Sequence, residues 1–100
     1  MVKHIVMWRL KPEAEGQNRA ENMVRLKEML EGLNGRIPGL IRLEVGIDYI
    51  GGETSSDLVL YSELVDREAL DSYQSHPEHQ AVVPFVRAVT SERRAVDFDC

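Results

Sequence analysis

From Val2 to Leu10 the chain alternates, and both halves of the alternation carry apolar side chains. Val2, His4, Val6, Trp8 and Leu10 point one way; Lys3, Ile5, Met7 and Arg9 point the other. A period of two is the mark of a strand, and a strand with two apolar faces needs cover on both. The segment Asp57 to Val65 (DLVLYSELV) repeats the demand, apolar on both faces until Ser62. The chain has only 100 residues, the size of one small domain, from which to supply that cover. Its 43% apolar and 29% charged content is that of a globular domain, which excludes a disordered tail, a collagen-like repeat and a low-complexity linker.

The remaining elements follow from periodicity and punctuation. Pro12 ends the first strand, because it offers no ladder donor. A helix is expected from about Glu15 to Leu33, with Met23, Leu26, Leu30, Leu33 and Ile37 as its apolar stripe and its continuation. Glu21 and Arg25 form a favourable i, i+4 pair on its polar side. Gly32 and Gly35 offer left-handed capping positions, and Pro38-Gly39 follows as a stop. Leu40 to Asp48 alternates again, and Tyr49 to Ser56, with Gly51-Gly52, reads as a loop or loose hairpin. Asp66 is the expected N-cap of a short helix carrying Ala69, Leu70 and Tyr73 on one face. In His76-Pro77-Glu78-His79, Pro77 holds His76 extended and opens a new helix with Val82, Phe85, Val86 and Val89 as its apolar face. Pro84 predicts a kink or a restart there. Arg94 to Asp99 is the last strand, with Val96 and Phe98 opposite Ala95 and Asp97.

The order βαββαβ over residues 1–100, without repeat or linker, is the ferredoxin-like α+β pattern: a four-stranded antiparallel sheet with helices on one face. The other face would be wet in a lone protomer, yet the first and third strands place apolar residues there. Sheet-to-sheet homodimerisation is the expected cover.

Charge and motif content remove several classes of function. There are 12 Lys+Arg against 17 Asp+Glu, a net charge of −5. Residues 1–50 carry 8 basic and 7 acidic groups, net +1; residues 51–100 carry 4 and 10, net −6. No basic stripe is present to meet a nucleic-acid backbone. No apolar run approaches the ~20 residues that cross a bilayer, and the N-terminal stretch alternates and lacks a small-residue cleavage site, so neither a membrane span nor a signal peptide is expected. The single cysteine, Cys100, excludes a disulfide framework; a cytoplasmic, reducing setting is the expectation. There is no glycine-rich phosphate loop, nucleophile elbow or CxxC, and neither a metal ion nor an organic cofactor is expected.

Four residues could carry chemistry. His4 lies on the face of Val6 and Trp8: it is either a core or interface histidine satisfied by one hydrogen bond, or a buried imidazole for acid–base work. His79 falls in the first turn of its helix, as a solvated or capping side chain or as a base. His76 and His79 at i, i+3 have ligand spacing, but Pro77 between them argues against a metal site. Asp97 is out of place on a strand. It is either a solvated acid paired with Arg93 or Arg94, or the partner that fixes an imidazole tautomer. Tyr73 is a core residue whose hydroxyl reaches a cavity rim, free to meet a ligand oxygen. Trp8, Met7 and Phe85 read as core.

These segments (HIVMWRLK, IPGLIRLEVG, DLVLYSEL, ALDSYQSHPEHQAVVPFV and VDFD) resemble the stress-responsive dimeric α/β-barrel family, Dabb, over nearly the whole chain. The Tyr-x-x-His-Pro-x-His string at Tyr73–His79, together with the His4 strand, carries the resemblance furthest. It implies a protomer whose sheet packs on its twin's to form a barrel, and a cavity between each sheet and its helices. One branch, typified by plant olivetolic acid cyclase, closes a linear polyketide by aldol condensation. Its His–His–Asp–Tyr set falls on His4, His79, Asp97 and Tyr73. The first helix departs from that branch: it offers Asn22, Met23 and Leu26 where the cyclase has aromatic residues lining its pocket.

Three functions follow as expectations. The first is a Dabb-family protein that binds a small apolar or carbonyl-containing molecule in a sheet–helix cavity. The second is a cofactor-independent lyase or cyclase, with His79 oriented by Asp97 as base and His4 and Tyr73 holding the carbonyl oxygen. The third is a structural dimerisation domain.

Overall fold

The computed structural model describes residues 1–100. Four long strands make the sheet: β1 (Val2–Leu10), β4 (Leu40–Ile47), β5 (Leu58–Leu64) and β6 (Thr90–Asp99). They are antiparallel in the order β4-β5-β1-β6, so the first strand sits inside the sheet. Three helices, α1 (Arg19–Glu31), α2 (Arg67–Ser75) and α3 (Pro77–Val89), pack on one face. This is the ferredoxin-like α+β fold.

The expected helix from Glu15 begins four residues later. Glu15 and Gly16 both take positive φ (54° and 74°) and turn a two-rung ribbon, β2 (Glu13–Ala14) and β3 (Gln17–Asn18). Asn18 then caps α1, accepting from the Glu21 N–H while the Glu21 carboxylate accepts from the Asn18 N–H. Glu21 is therefore spent on the cap rather than on Arg25, and Lys27–Glu31 is the helix's i, i+4 ion pair. Gly32 ends α1 in right-handed geometry; of the two expected capping glycines only Gly35 has positive φ. Asn22, fully buried, donates to the carbonyls of Ala14 and Gln17 and ties the ribbon to the helix.

Pro84 does not restart the helix: α3 runs unbroken from Pro77 to Val89 with Pro84 inside it. Pro84 deprives the Gln80 carbonyl of its donor, but both residues are exposed, where water replaces the lost bond. β6 begins at Thr90 rather than Arg94, because its first residues pair with Leu10, Arg9 and Trp8 across an irregularity at Arg9/Leu10. In β4 the register shifts between Leu40 and Arg42, which leaves Ile41 exposed despite its place in the alternation.

The two faces of the sheet differ as the alternation requires. Val2, His4, Val6, Trp8 and Leu10 are buried under the helices with Leu26, Leu30, Leu43, Val45, Leu58, Leu60 and Leu64. On the other face Ile5 stands beside Tyr61 and Val96, and Met7 beside Val59, with Phe98 next to Lys3. No helix covers them; Met7, Val96 and Phe98 are exposed.

Candidate functional site

A cavity of about 450 Å³ lies between the helix-side face of the sheet and α2 and α3. That is within the ~300–1,000 Å³ range of small-molecule sites. β1 contributes His4, Val6 and Trp8; α2 contributes Tyr73 and Gln74; α3 contributes His79, Val82, Val86 and Arg87. Arg93 of β6 closes the set. Of the first helix only Leu30 reaches the cavity, so Asn22, Met23 and Leu26 do not line it.

His4 is 4% exposed and pinned from both ends. Its backbone carbonyl accepts from Ser62 Oγ at 2.8 Å, which explains the one hydroxyl in an otherwise apolar row of β5. Its Nδ1 is hydrogen-bonded to Asp97 Oδ1. A carboxylate accepts, so in the neutral imidazole Nδ1 carries the proton and Nε2 presents a lone pair.

Asp97 thus orients His4, not His79. The reason is register: β1 and β6 pair antiparallel with His4 directly opposite Asp97, and opposed residues share a face. Arg93 and Arg94, the other expected partners of Asp97, do not bond to it; Arg94 pairs with Glu92.

His79 is anchored by different chemistry. The Gln74 carbonyl lies in the last turn of α2, where no intrahelical donor remains. It accepts from His79 Nδ1–H at 3.1 Å and from Gln80 Nε2 at 2.6 Å. The carbonyl can only accept, so here too Nδ1 is the protonated nitrogen and Nε2 the free one. Burial lowers the proton affinity of His79; His4 and Arg93 nearby lower it further, against the opposing bond to Gln74. His79 is therefore a neutral imidazole at pH 7. His76 caps α3 instead, its Nδ1 accepting from the Glu78 N–H.

Tyr73 joins the two histidines. Its ring centroid lies 6.0 Å from that of His4, edge-on, and 4.7 Å from that of His79. The side chain is 1% exposed, and burial pushes its pKa up to about 12, so the hydroxyl stays a donor throughout the neutral range. Trp8 is buried in the core as its alternation predicts, but its indole Nε1–H has no partner in the protein. Together these groups present a hydroxyl donor, an indole N–H and two imidazoles around one cavity of mixed polar and apolar lining. No three His, Cys, Asp or Glu side chains converge in the geometry of a metal site.

Sequence reasoning brought His4, Tyr73, His79 and Asp97 to one region, and the structure gathers all four. Trp8, Arg87 and Arg93 were missed as site residues. Nothing in their spacing marks them; only the packing of α3 across β1 and β6 does.

The family model of the stress responsive A/B barrel domain, Dabb, matches residues 2–100. The chain belongs to this family. A dimeric protein of unknown function and ferredoxin-like fold from Bacteroides fragilis is 30% identical, covering 99% of this chain and 95% of its own, with a TM-score of 0.86. A dimeric ferredoxin-like protein of unknown function from Thermobifida fusca is 22% identical, covering 99% and 90%, with a TM-score of 0.83. A Dabb-family protein from Mesorhizobium loti is 22% identical, covering 99% and 95%, with a TM-score of 0.71. No curated protein matches the sequence significantly. No helix is long and apolar enough to cross a membrane.

Proposed function

We propose that this Dabb-family chain binds a small molecule in the cavity between its sheet and α2 and α3. The observation that carries the reading is the buried Trp8 Nε1–H, which has no protein partner, on the wall of a cavity that also gathers His4, Tyr73 and His79. Buried donors without partners are rare in folded proteins, and a ligand acceptor would satisfy this one. A thermal-shift screen with small ketones, carboxylic acids and aromatics should find compounds that raise Tm. Val86→Trp, which fills the cavity, should abolish the shift. A screen with no hits, or hits that survive Val86→Trp, would count against cavity binding.

A second reading is favoured by the Asp97–His4 pair. In this reading His4 Nε2 acts as the base toward a carbon acid next to a carbonyl. The C–H bond breaks, its proton passes to Nε2, and its electron pair moves into the carbonyl as an enolate. Tyr73 donates a hydrogen bond to the developing oxyanion, and His79 offers a second neutral acceptor on the opposite wall. Such base catalysis supplies ~10²–10⁴-fold. In deuterium oxide the protein should accelerate loss of the C2–H signal of ethyl acetoacetate, and His4→Gln should remove the acceleration. Exchange at the buffer rate with wild type would end the catalytic reading and leave the binding one standing.

We further infer a homodimer through the open sheet face, built on Ile5, Met7, Val59, Tyr61, Val96 and Phe98. The dimeric relatives from Bacteroides fragilis and Thermobifida fusca support it. A single sedimenting monomer at micromolar concentration would refute it. A cytoplasmic, reducing setting is also our reading, supported by the one free, exposed thiol of Cys100.

A further inference from the structure

The chain is acidic overall, with 17 Asp+Glu against 12 Lys+Arg, yet no carboxylate lines the cavity. Its charged lining residues are Arg87 and Arg93. The other ten cationic side chains all have partners. Six sit in ion pairs with carboxylates. Two lie over aromatic rings and two donate to backbone carbonyls. Arg87 and Arg93 alone have neither an ion pair, a ring nor a hydrogen bond from the guanidinium. They come from different elements, the last turn of α3 and the middle of β6. The packing of these two elements brings both to one cavity, beside the unpartnered Trp8 Nε1–H.

We propose that the cavity is selective for a carboxylate-bearing molecule, whose apolar body lies among Val6, Val82 and Val86 while its carboxylate meets Arg87 and Arg93. A guanidinium is planar and offers paired donors that match a carboxylate's two oxygens, and it cannot be silenced by losing its proton. A neutral ligand of the same shape would leave both exposed guanidinium groups to water and gain no ion pair. Arg93 also stands close enough to His79 to disfavour the imidazolium, which places the cation on the histidine side of the cavity. The inference deepens the cavity-binding reading and rests on it.

The test uses hexanoate and hexanamide, which differ in charge and little in shape. The chain has one tryptophan, so its indole N–H gives a single cross-peak in a ¹⁵N-labelled sample. Titrated against wild type, hexanoate should move that peak with an affinity roughly 10-fold or more above that of hexanamide, the scale of a charge-assisted hydrogen bond. The double variant R87Q/R93Q should bind the two probes equally. Salt offers a test that needs no variant: raising it from about 0.05 M to about 0.5 M should weaken hexanoate and spare hexanamide. Equal affinities in wild type, or a preference that survives R87Q/R93Q, would overturn the carboxylate assignment while leaving cavity binding intact. A Trp8 peak that neither probe moves would overturn both. If Arg87 served only the C-terminal dipole of α3, R87Q would lower Tm and leave the acid-to-amide ratio untouched; that outcome also counts against the proposal.

Discussion

The two faces of β1 begin as near equals and end with different fates. One face carries Val2, His4, Val6, Trp8 and Leu10, all buried. The other carries Lys3, Ile5, Met7 and Arg9, which no helix of this chain covers. Alternation reports that a side chain needs cover; it does not report what provides it. The helix-side face is closed by the chain itself, and its polar members are used for the site. The open face carries no constellation of titratable groups with unsatisfied atoms, only apolar side chains bordered by ions. The proposed site lies where the protein buries its own surface, and the proposed association uses the face it does not.

One residue from each face of the sheet, Leu60 on β5 and Val96 on β6, sharpens the contrast most. Leu60→Ala, on the helix side, should cost about 2–5 kcal/mol in urea unfolding, as for other buried leucines, and equally at every protein concentration. If it cost under ~1 kcal/mol, the core assignment would be wrong. On the open face, Val96→Asp should leave the protomer folded by circular dichroism while abolishing the dimer in sedimentation. Unfolding of the isolated protomer would show that this face supports the fold itself.

Within the site the expected effects are smaller. Asp97→Asn exchanges a charged acceptor for an amide, and should cost about 1 kcal/mol or less in stability because the pair is partly exposed. Its signature is instead in His4: ¹⁵N shifts of the imidazole should lose the single Nδ1–H tautomer. Retention of one tautomer would mean that Asp97 does not set it.

The smallest effect is the pH dependence from His79. Its folded proton affinity is lowered, chiefly by burial, so the unfolded chain binds more protons between the folded pKa and about 6.5. The sign follows: stability from the neutral, buried imidazole is complete above pH 6.5 and is lost as pH falls through the folded value. His79→Gln should flatten the change in urea midpoint between pH 7 and pH 5. An unchanged slope would remove His79 as its source.

Much of this was legible in the residues, for reasons that also mark the boundary of what was not. Strands and helices announce themselves by local period, and Asp66, Pro77 and Gly35 work where their local chemistry places them. The β2–β3 ribbon was not legible because it replaces the first turn of an expected helix with two rungs and one positive-φ glutamate, below the length at which period can be read. The histidine pairing failed for a different reason. Whether Asp97 meets His4 or His79 depends on the register of β1 against β6, a property of two segments and of neither alone. Arg87 and Arg93 were invisible on the same ground, since an arginine is marked by what it fails to touch only once every neighbour is in place.

The placement of β1 has one more consequence. The chain's first strand lies between β5 and β6, and His4 meets an aspartate 93 positions away. β1 is made before both of its partners: one edge waits for β5, and the other waits unpaired until β6, eighty or more residues later, is available. Pairings so distant in sequence close slowly, and waiting strands are open to aggregation. Removing β6 would therefore do more than delete Asp97: it would leave one whole edge of β1 without its backbone partner.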